Sequence, residues 1–132
     1  MVLKRIFSHY LPVCSWMILI FYFSSQQKIS VSPTFILNFI LFKSLHVIEY
    51  AILFALWCWA IANKKNFFTQ ETYLWAGITT LMYAVFDEIH QTFIPTREGT
   101  MRDVAIDGIG IIIMYMFINQ KNIKQMIKKI WQ

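Results

Sequence analysis

The sequence predicts an all-α integral membrane protein built as a bundle of four membrane-spanning helices. Hydrophobic residues make up 58% of the 132 residues and charged residues only 14%, whereas an ordinary soluble domain carries roughly 25% charged residues. The apolar residues also gather in runs close to the roughly 20 residues that a helix needs to cross a bilayer. We therefore predict one domain, residues 1–132, with the lipid bilayer as its solvent.

Four apolar runs predict the spans, at about residues 6–23, 45–62, 73–93 and 104–118. Residues 33–42 are apolar as well, and one straight helix from there through the second span would reach about 45 Å, more than the bilayer core. We therefore predict a bend near Lys43 or Ser44, preceded by an additional short interfacial or re-entrant helix between spans one and two. Thr100, three residues before Asp103, predicts the capped start of span four.

The distribution of cations predicts the orientation in the membrane. With both termini inside, eight of the twelve Lys and Arg residues lie on the inner side, in the N-terminus, in the loop with Lys64 and Lys65, and in the basic tail, residues 119–132. Lys28 and Arg97 then face outward. The positive-inside rule thus predicts a multi-pass cell-membrane protein with both termini cytoplasmic. The net charge of +5 does not indicate nucleic-acid binding, because the cations flank apolar runs and line no single face.

This orientation gathers the ionisable residues in one layer. Six of the seven carboxylates and two of the three histidines fall at the outer ends of spans two to four or in the loop between spans three and four. Ionisable groups inside a membrane are energetically unfavourable and usually functional, so this layer is the candidate site. Residues that share a helical face are Lys43, His46, Glu49 and Tyr50 in span two and Asp87, His90 and Gln91 in span three.

General acid–base catalysis is the simplest chemistry for these side chains. Histidine is the side chain whose ordinary pKa lies nearest to neutral pH, so His46 could transfer a proton, oriented by Glu49 or Asp87. The candidate catalytic residues are His46, Glu49, Asp87 and Glu88.

A phosphate group on a substrate would suit the arginines in and after the outer loop, because guanidinium groups donate forked hydrogen bonds to phosphate oxygens. The candidate substrate-binding residues are Ser25, Gln26, Lys43, Tyr50, Gln91, Arg97, Arg102, Asp103 and Asp107.

Metal binding is an open alternative for the same cluster. His46 and Glu49, with the carboxylates of Asp87 and Glu88, offer ligands that suit zinc or manganese. The spacing is less specific than HExxH, so a divalent metal is a cofactor candidate without assigned ligands.

Three functions fit these residues. The layer could bind or chemically alter a lipid-linked, phosphate-bearing substrate. It could instead be an interhelical network in a non-enzymatic accessory or binding protein, with the basic residues neutralising the carboxylates. The third alternative, an ion or proton carrier, is disfavoured because the inner halves of the spans are almost wholly apolar. Oligomeric state is not predicted.

In these stretches the chain resembles the VanZ-like family of small membrane proteins, named for a protein linked to teicoplanin resistance. The matching stretches are FSSQ at the end of span one, KSLHVIEYAILF in span two and DEIHQTFIPTREGTMRDVAIDGIG across spans three and four. Thr96 stands where family members often have glycine, and Asp107 where many have asparagine. The polar family positions carried over are Ser25, Gln26, Lys43, His46, Tyr50, Asp87, Glu88, Gln91, Pro95, Arg97, Asp103 and Asp107.

The resemblance implies a role in the cell envelope and reduced sensitivity to a lipoglycopeptide antibiotic. It implies no mechanism, so the choice between binding and catalysis depends on the residues themselves.

Overall fold

The computed structural model describes residues 2–27, 33–62 and 69–131, and this part of the chain contains five α-helices and no strand. The all-α prediction is therefore confirmed. Lys28, Lys64 and Lys65, which the orientation prediction uses, lie outside the described residues. The helices are α1 (Val2–Ser24), α2 (Phe35–Ile61), α3 (Gln70–Gln91), α4 (Met101–Ile118) and α5 (Lys121–Trp131).

Helix α2 lies at the centre of the fold. It packs against α1, α3 and α4, and α3 also packs against α4. One apolar cluster between these helices contains Tyr50 and Leu53, and a second contains Phe54 and Cys58, each at most 1% exposed. Burial of these side chains therefore orders the second half of α2 against its neighbours.

Two hydrogen bonds attach α1 to the rest of the bundle. The indole Nε1 of Trp16 donates to the backbone oxygen of Glu49 over 3.0 Å. The hydroxyl of Tyr83 donates to the backbone oxygen of Met17 over 2.6 Å. Both bonds satisfy polar groups in an apolar setting, and they fix α1 at the level of the polar residues of α2.

Helix α2 differs from the prediction. It runs unbroken over 27 residues, so the helix is not interrupted at Lys43 or Ser44, and the described residues between α1 and α2 form no separate interfacial or re-entrant helix. Neither lysine nor serine breaks a helix, and Pro33 precedes the first turn. As a consequence, His46 and Glu49 lie in the middle of α2 and not in its first turns.

In the part of the chain that the structure describes, two helices are long and apolar enough to cross a membrane, namely the segment Phe7–Ser24 of α1 and the whole of α2. Helices α3 and α4 carry more charged residues, which are Glu71, Asp87, Glu88, Arg102, Asp103 and Asp107. Large apolar side chains are nevertheless exposed on all four helices, for example Ile18, Ile48, Met82 and Ile112. Such a surface is typical of contact with lipid or with a partner. A bundle that crosses the membrane four times stays a prediction.

The basic tail forms a further helix, α5, which the sequence prediction did not include. Ile127 packs against the cluster around Phe54 and Cys58, whereas Lys128 and Lys129 are exposed. This amphipathic helix with an exposed cationic face is of the kind that lies at a membrane surface.

Helix α4 approaches the backbone of α2 closely at Gly110. A Cβ atom at this position would overlap the backbone oxygen of Val47 and press on the amide nitrogen of Ala51. Gly110 lies three residues after Asp107, and Val47 directly follows His46. The close approach of the two backbones therefore also brings the side chains of His46 and Asp107 together.

We expect Gly110→Ala to lower the thermal melting temperature of the protein in detergent, because overpacking a tight contact destabilises by about 1–3 kcal/mol. Gly108→Ala is the matched control, since an added Cβ there meets nothing within 4 Å and alanine favours a helix by about 1 kcal/mol over glycine. Equal melting temperatures for the two variants would contradict the close approach at Gly110.

Candidate functional site

The predicted site residues of α2, α3 and α4 meet inside the bundle in what we call the polar layer. They come from the middle of α2, the last turns of α3 and the first turns of α4. Asp87 and Asp107 are 0% exposed, and Glu88, Gln91 and Asp103 are at most 5% exposed. The polar layer comprises Lys43, His46, Glu49, Tyr50, Asp87, Glu88, Gln91, Asp103 and Asp107.

Two cations occupy one edge of the polar layer, which we call the rim. Lys43 Nζ lies 2.6 Å from Asp103 Oδ2, and Arg102 Nε lies 3.5 Å from Asp103 Oδ1. Both cations also lie over the ring of Phe39, at 5.9 and 5.5 Å from its centroid. The Arg102 side chain is 67% exposed and that of Lys43 is 19% exposed. The rim is thus the cationic part of the layer that solvent or a ligand can reach.

His46 faces Asp107 of α4. Its Nδ1 lies 3.4 Å from Asp107 Oδ1, but the pair lacks the geometry of a hydrogen bond, and both carboxylate oxygens of Asp107 are buried without a hydrogen-bond partner. The sequence predicted Glu49 or Asp87 as the group that orients His46. The ion-pair partner of His46 is instead Asp107, although Glu49 lies within electrostatic range of both His46 and Asp87.

The carboxylates of α3 are held by an amide side chain and a backbone amide. Gln91 Nε2 donates to Asp87 Oδ2 over 2.9 Å and more weakly to Glu88 Oε1 over 3.4 Å. The backbone N–H of Thr100 donates to Glu88 Oε2 over 2.9 Å. A carboxylate at the positive N-terminal end of α4 is electrostatically favourable.

The predicted cap of α4 is confirmed. The hydroxyl of Thr100 accepts a hydrogen bond from the backbone N–H of Asp103. In a full capping box, the Asp103 carboxylate would accept the N–H of Thr100 in return. Here Glu88 accepts that N–H, and the carboxylate of Asp103 pairs with Lys43 instead.

Arg97 connects the loop between α3 and α4 to the end of α1. Its Nε and Nη2 donate to the backbone oxygens of Gln26 and Phe23 over 2.7 and 2.8 Å, and its Nη1 donates to Gln91 Oε1 over 3.4 Å. Carbonyl groups at a helix C-terminus lack intrahelical partners, so the guanidinium also caps α1. Partial burial lowers the pKa of Arg97, opposed by nearby carboxylates. Its binding of a substrate phosphate stays a prediction.

Thr96 has a backbone conformation that favours glycine. The N–H of Arg97 donates to the backbone oxygen of Ile94 over 3.1 Å, which closes a turn with Pro95 in the second position and Thr96 in the third. Thr96 has a φ of 71°. A proline followed by a residue with positive φ is the pattern of a type II turn, whose third position favours glycine.

Ser25 contacts α3 through a residue that was not among the predicted site residues. Its Oγ lies 3.0 Å from His90 Nε2, and the His90 ring stacks on Phe21 at 4.3 Å between centroids. His90 lies three residues after Asp87 on the same helical face, and this spacing is the sequence signal that could have placed it near the site. No sequence signal distinguishes Phe39 from other apolar residues of α2, and none marks the backbone amide of Thr100. The side chain of Gln26, which was predicted to bind substrate, is exposed.

The centre of the polar layer is closed. Tyr50, Asp87 and Asp107 are 0% exposed, so a ligand as large as a phosphate can reach only the rim in this conformation. A cleft of about 270 Å³ opens elsewhere, beside the start of α3. It is lined by Phe54, Gln70, Tyr73, Leu74, Ile111, Ile112 and Tyr115. Because this cleft holds no ionisable group of the layer, an outward-facing polar pocket stays a prediction.

A buried charged layer between long apolar helices is the arrangement of a membrane protein with an internal polar site. The VanZ/LLP1 family model matches residues 9–124, and the chain belongs to this family. The match includes every member of the polar layer and confirms the resemblance seen in the sequence. Family and apolar helices together indicate a membrane protein. No curated protein and no solved structure matches the chain.

Proposed function

We propose that the protein crosses the cell membrane four times, with both termini in the cytoplasm. We also propose that the rim of the polar layer binds the phosphate-bearing head of a lipid-linked cell-envelope substrate. The observation that carries the proposal is the pair of partly exposed cations, Lys43 and Arg102, that share one carboxylate, Asp103. A phosphate arriving at the rim could replace Asp103 as the anion that these cations bind, by charge-assisted hydrogen bonds.

The surface beside the rim suits a lipid. The first turns of α2 extend past the polar layer and expose Phe35 and Ile36, at 77% and 69% exposure, and Met101 at the start of α4 is 78% exposed. Apolar side chains next to a cationic site match an amphiphile whose charged head binds the rim while its chains lie along the helices.

Acid–base chemistry lies within reach of such a head group. The side chain of His46, in the inner part of the layer, is 13% exposed, and Asp107 faces it. An imidazole beside a carboxylate is the arrangement that general acid–base catalysis uses. Chemical alteration of the bound substrate would therefore fall to His46, with Asp107 in the orienting role that the sequence analysis assigned to Glu49 or Asp87.

A non-enzymatic accessory protein is the second candidate. The ion pair between Lys43 and Asp103 links α2 to α4, as an interhelical network would. In that case the layer holds the bundle together, and substitutions at the rim act only through the amount of folded protein.

The topology predicts which cysteines an impermeant thiol reagent reaches. Glu98 and Gln125 are both exposed, so we would place single cysteines there in a background lacking Cys14 and Cys58. In intact cells we expect labelling of Glu98→Cys and not of Gln125→Cys, because the cation bias puts the tail inside. After permeabilisation both should react. Labelling of Gln125→Cys alone in intact cells would reverse the proposed orientation.

We further propose that substrate binding at the rim lowers sensitivity to a lipoglycopeptide antibiotic, as the family resemblance implies. Arg102→Gln should then remove most of the protection against teicoplanin in cells that express the protein. A hydrogen bond to a charged group contributes roughly 1.5–3 kcal/mol, so binding should weaken by about tenfold or more. An exposed ion pair contributes little to folding, so the melting temperature should stay unchanged. Lys128→Gln, which removes an exposed cation from α5, is the matched control.

Susceptibility and the amount of folded protein would be measured on the same cultures. Full protection by Arg102→Gln argues against phosphate binding at the rim. Protection that falls only in proportion to the amount of folded protein supports the accessory alternative.

A further inference from the structure

The centre of the polar layer contains buried acceptor atoms that no protein group satisfies. Both carboxylate oxygens of Asp107 and Oδ1 of Asp87 are buried without a hydrogen-bond partner, as is the hydroxyl of Tyr50. Buried polar atoms in folded proteins are nearly always hydrogen-bonded, and a group that is not requires an explanation such as an ion or water. The unsatisfied atoms here belong to side chains that are 0% exposed.

The charges in the layer point to a cation. Among the described residues, no lysine or arginine lies within ion-pair distance of Asp87, Glu88 or Asp107. Lys43 pairs with Asp103 at the rim, and Arg97 donates to carbonyl and amide oxygens. Three buried carboxylates therefore share one imidazole, and buried charges are usually paired or coordinate a metal.

The geometry defines which atoms could surround such a cation. One candidate ligand atom each from His46, Glu88 and Asp107 lies within 4.8 Å of the other two. The separation of His46 Nδ1 and Asp107 Oδ1 is 3.4 Å. Metal–ligand bonds of about 2.0–2.2 Å in a tetrahedral site place neighbouring ligand atoms about 3.3–3.6 Å apart, so a small inward movement of Glu88 would complete the set.

We propose that His46, Glu88 and Asp107 bind one divalent cation, Zn²⁺ or Mn²⁺, at the centre of the polar layer. One imidazole with two carboxylates suits both ions, and three protein ligands leave a coordination position open. The amide of Gln91 and the backbone N–H of Thr100 donate hydrogen bonds to the Glu88 carboxylate. Hydrogen bonds of this kind commonly orient the side chains that bind a metal. The open position would accept a water molecule.

The competing arrangement is a direct ion pair between protonated His46 and Asp107, with no metal. It would leave Asp87 and Glu88 with no cation among the described residues within ion-pair distance, and His46 Nδ1 and Asp107 Oδ1 lack hydrogen-bond geometry. The two arrangements differ in what chelation and added metal do to the purified protein.

The test uses the full chain, purified in detergent without a histidine tag. Metal content is measured by mass spectrometry, and thermal melts are recorded after chelation and again after addition of Zn²⁺ or Mn²⁺. We expect about one ion per chain and a melting temperature that falls on chelation and recovers with one of the two ions. The ion that restores it identifies the metal.

Two site variants have matched controls. His46→Gln and Asp107→Asn should bind the ion at least tenfold more weakly and lose its stabilising effect. His90→Gln removes an imidazole that contacts Ser25, and Glu71→Gln removes an exposed carboxylate of α3; both should keep the ion. Because Asp107→Asn removes a buried charge, its melting temperature after chelation should equal or exceed that of the chelated unsubstituted protein.

The proposal is overturned if the unsubstituted protein neither contains a stoichiometric ion nor gains stability from Zn²⁺ or Mn²⁺. It is equally overturned if His46→Gln and Asp107→Asn respond to metal as the controls do. The stability measurement on the unsubstituted protein decides even if one variant fails to fold. None of these measurements depends on an envelope phenotype, so the metal site and the substrate proposal can fail independently.

Discussion

Compensation of buried negative charge is the constraint on which the rest of this structure depends. The carboxylates of Glu49, Asp87, Glu88, Asp103 and Asp107 share the interior of an apolar bundle. Taking a charge out of water is strongly unfavourable unless partners replace the lost hydration. Lys43 from α2 supplies a cation, and α4 supplies the positive end of its helix. The close packing of α4 on α2 lets Lys43 reach Asp103, and the packing of α4 against α3 lets the start of α4 reach Glu88.

Function and fold use the same residues in different ways. Lys43 holds α2 to α4 through Asp103, whereas Arg102, which also pairs with Asp103, is exposed enough to meet a ligand. Arg97 draws the loop onto the end of α1 and keeps Gln91 beside Asp87 and Glu88. The carboxylates of Asp87 and Glu88 are therefore already held in position before a substrate binds the rim. The unsatisfied atoms around Asp107 are the part of this arrangement that helix packing alone does not explain.

Helical spacing was enough to predict which residues share the polar layer, because side chains three and four positions apart lie on one face. It could not predict how they pair. His46 faces Asp107 and not Glu49, since the rotation of α4 against α2 depends on the tight contact at Gly110. The length of α2 was misjudged because bilayer thickness was taken to limit the helix, although nothing in its sequence ends it before Ile61. The backbone carbonyl groups that Arg97 binds could not be predicted, because every residue has a carbonyl group and the sequence does not mark which of them is bound.

The most direct test of charge compensation is a double-mutant cycle of melting temperatures for Lys43→Met and Asp103→Asn. The Asp103 side chain is only 7% exposed, so Lys43→Met leaves a carboxylate with much less compensation, and we expect a loss of up to about 3 kcal/mol. The double variant should recover much of that loss, because it removes both charges together. If the two substitutions simply add, the pair contributes no coupling energy and the account of how the polar layer is held together is wrong.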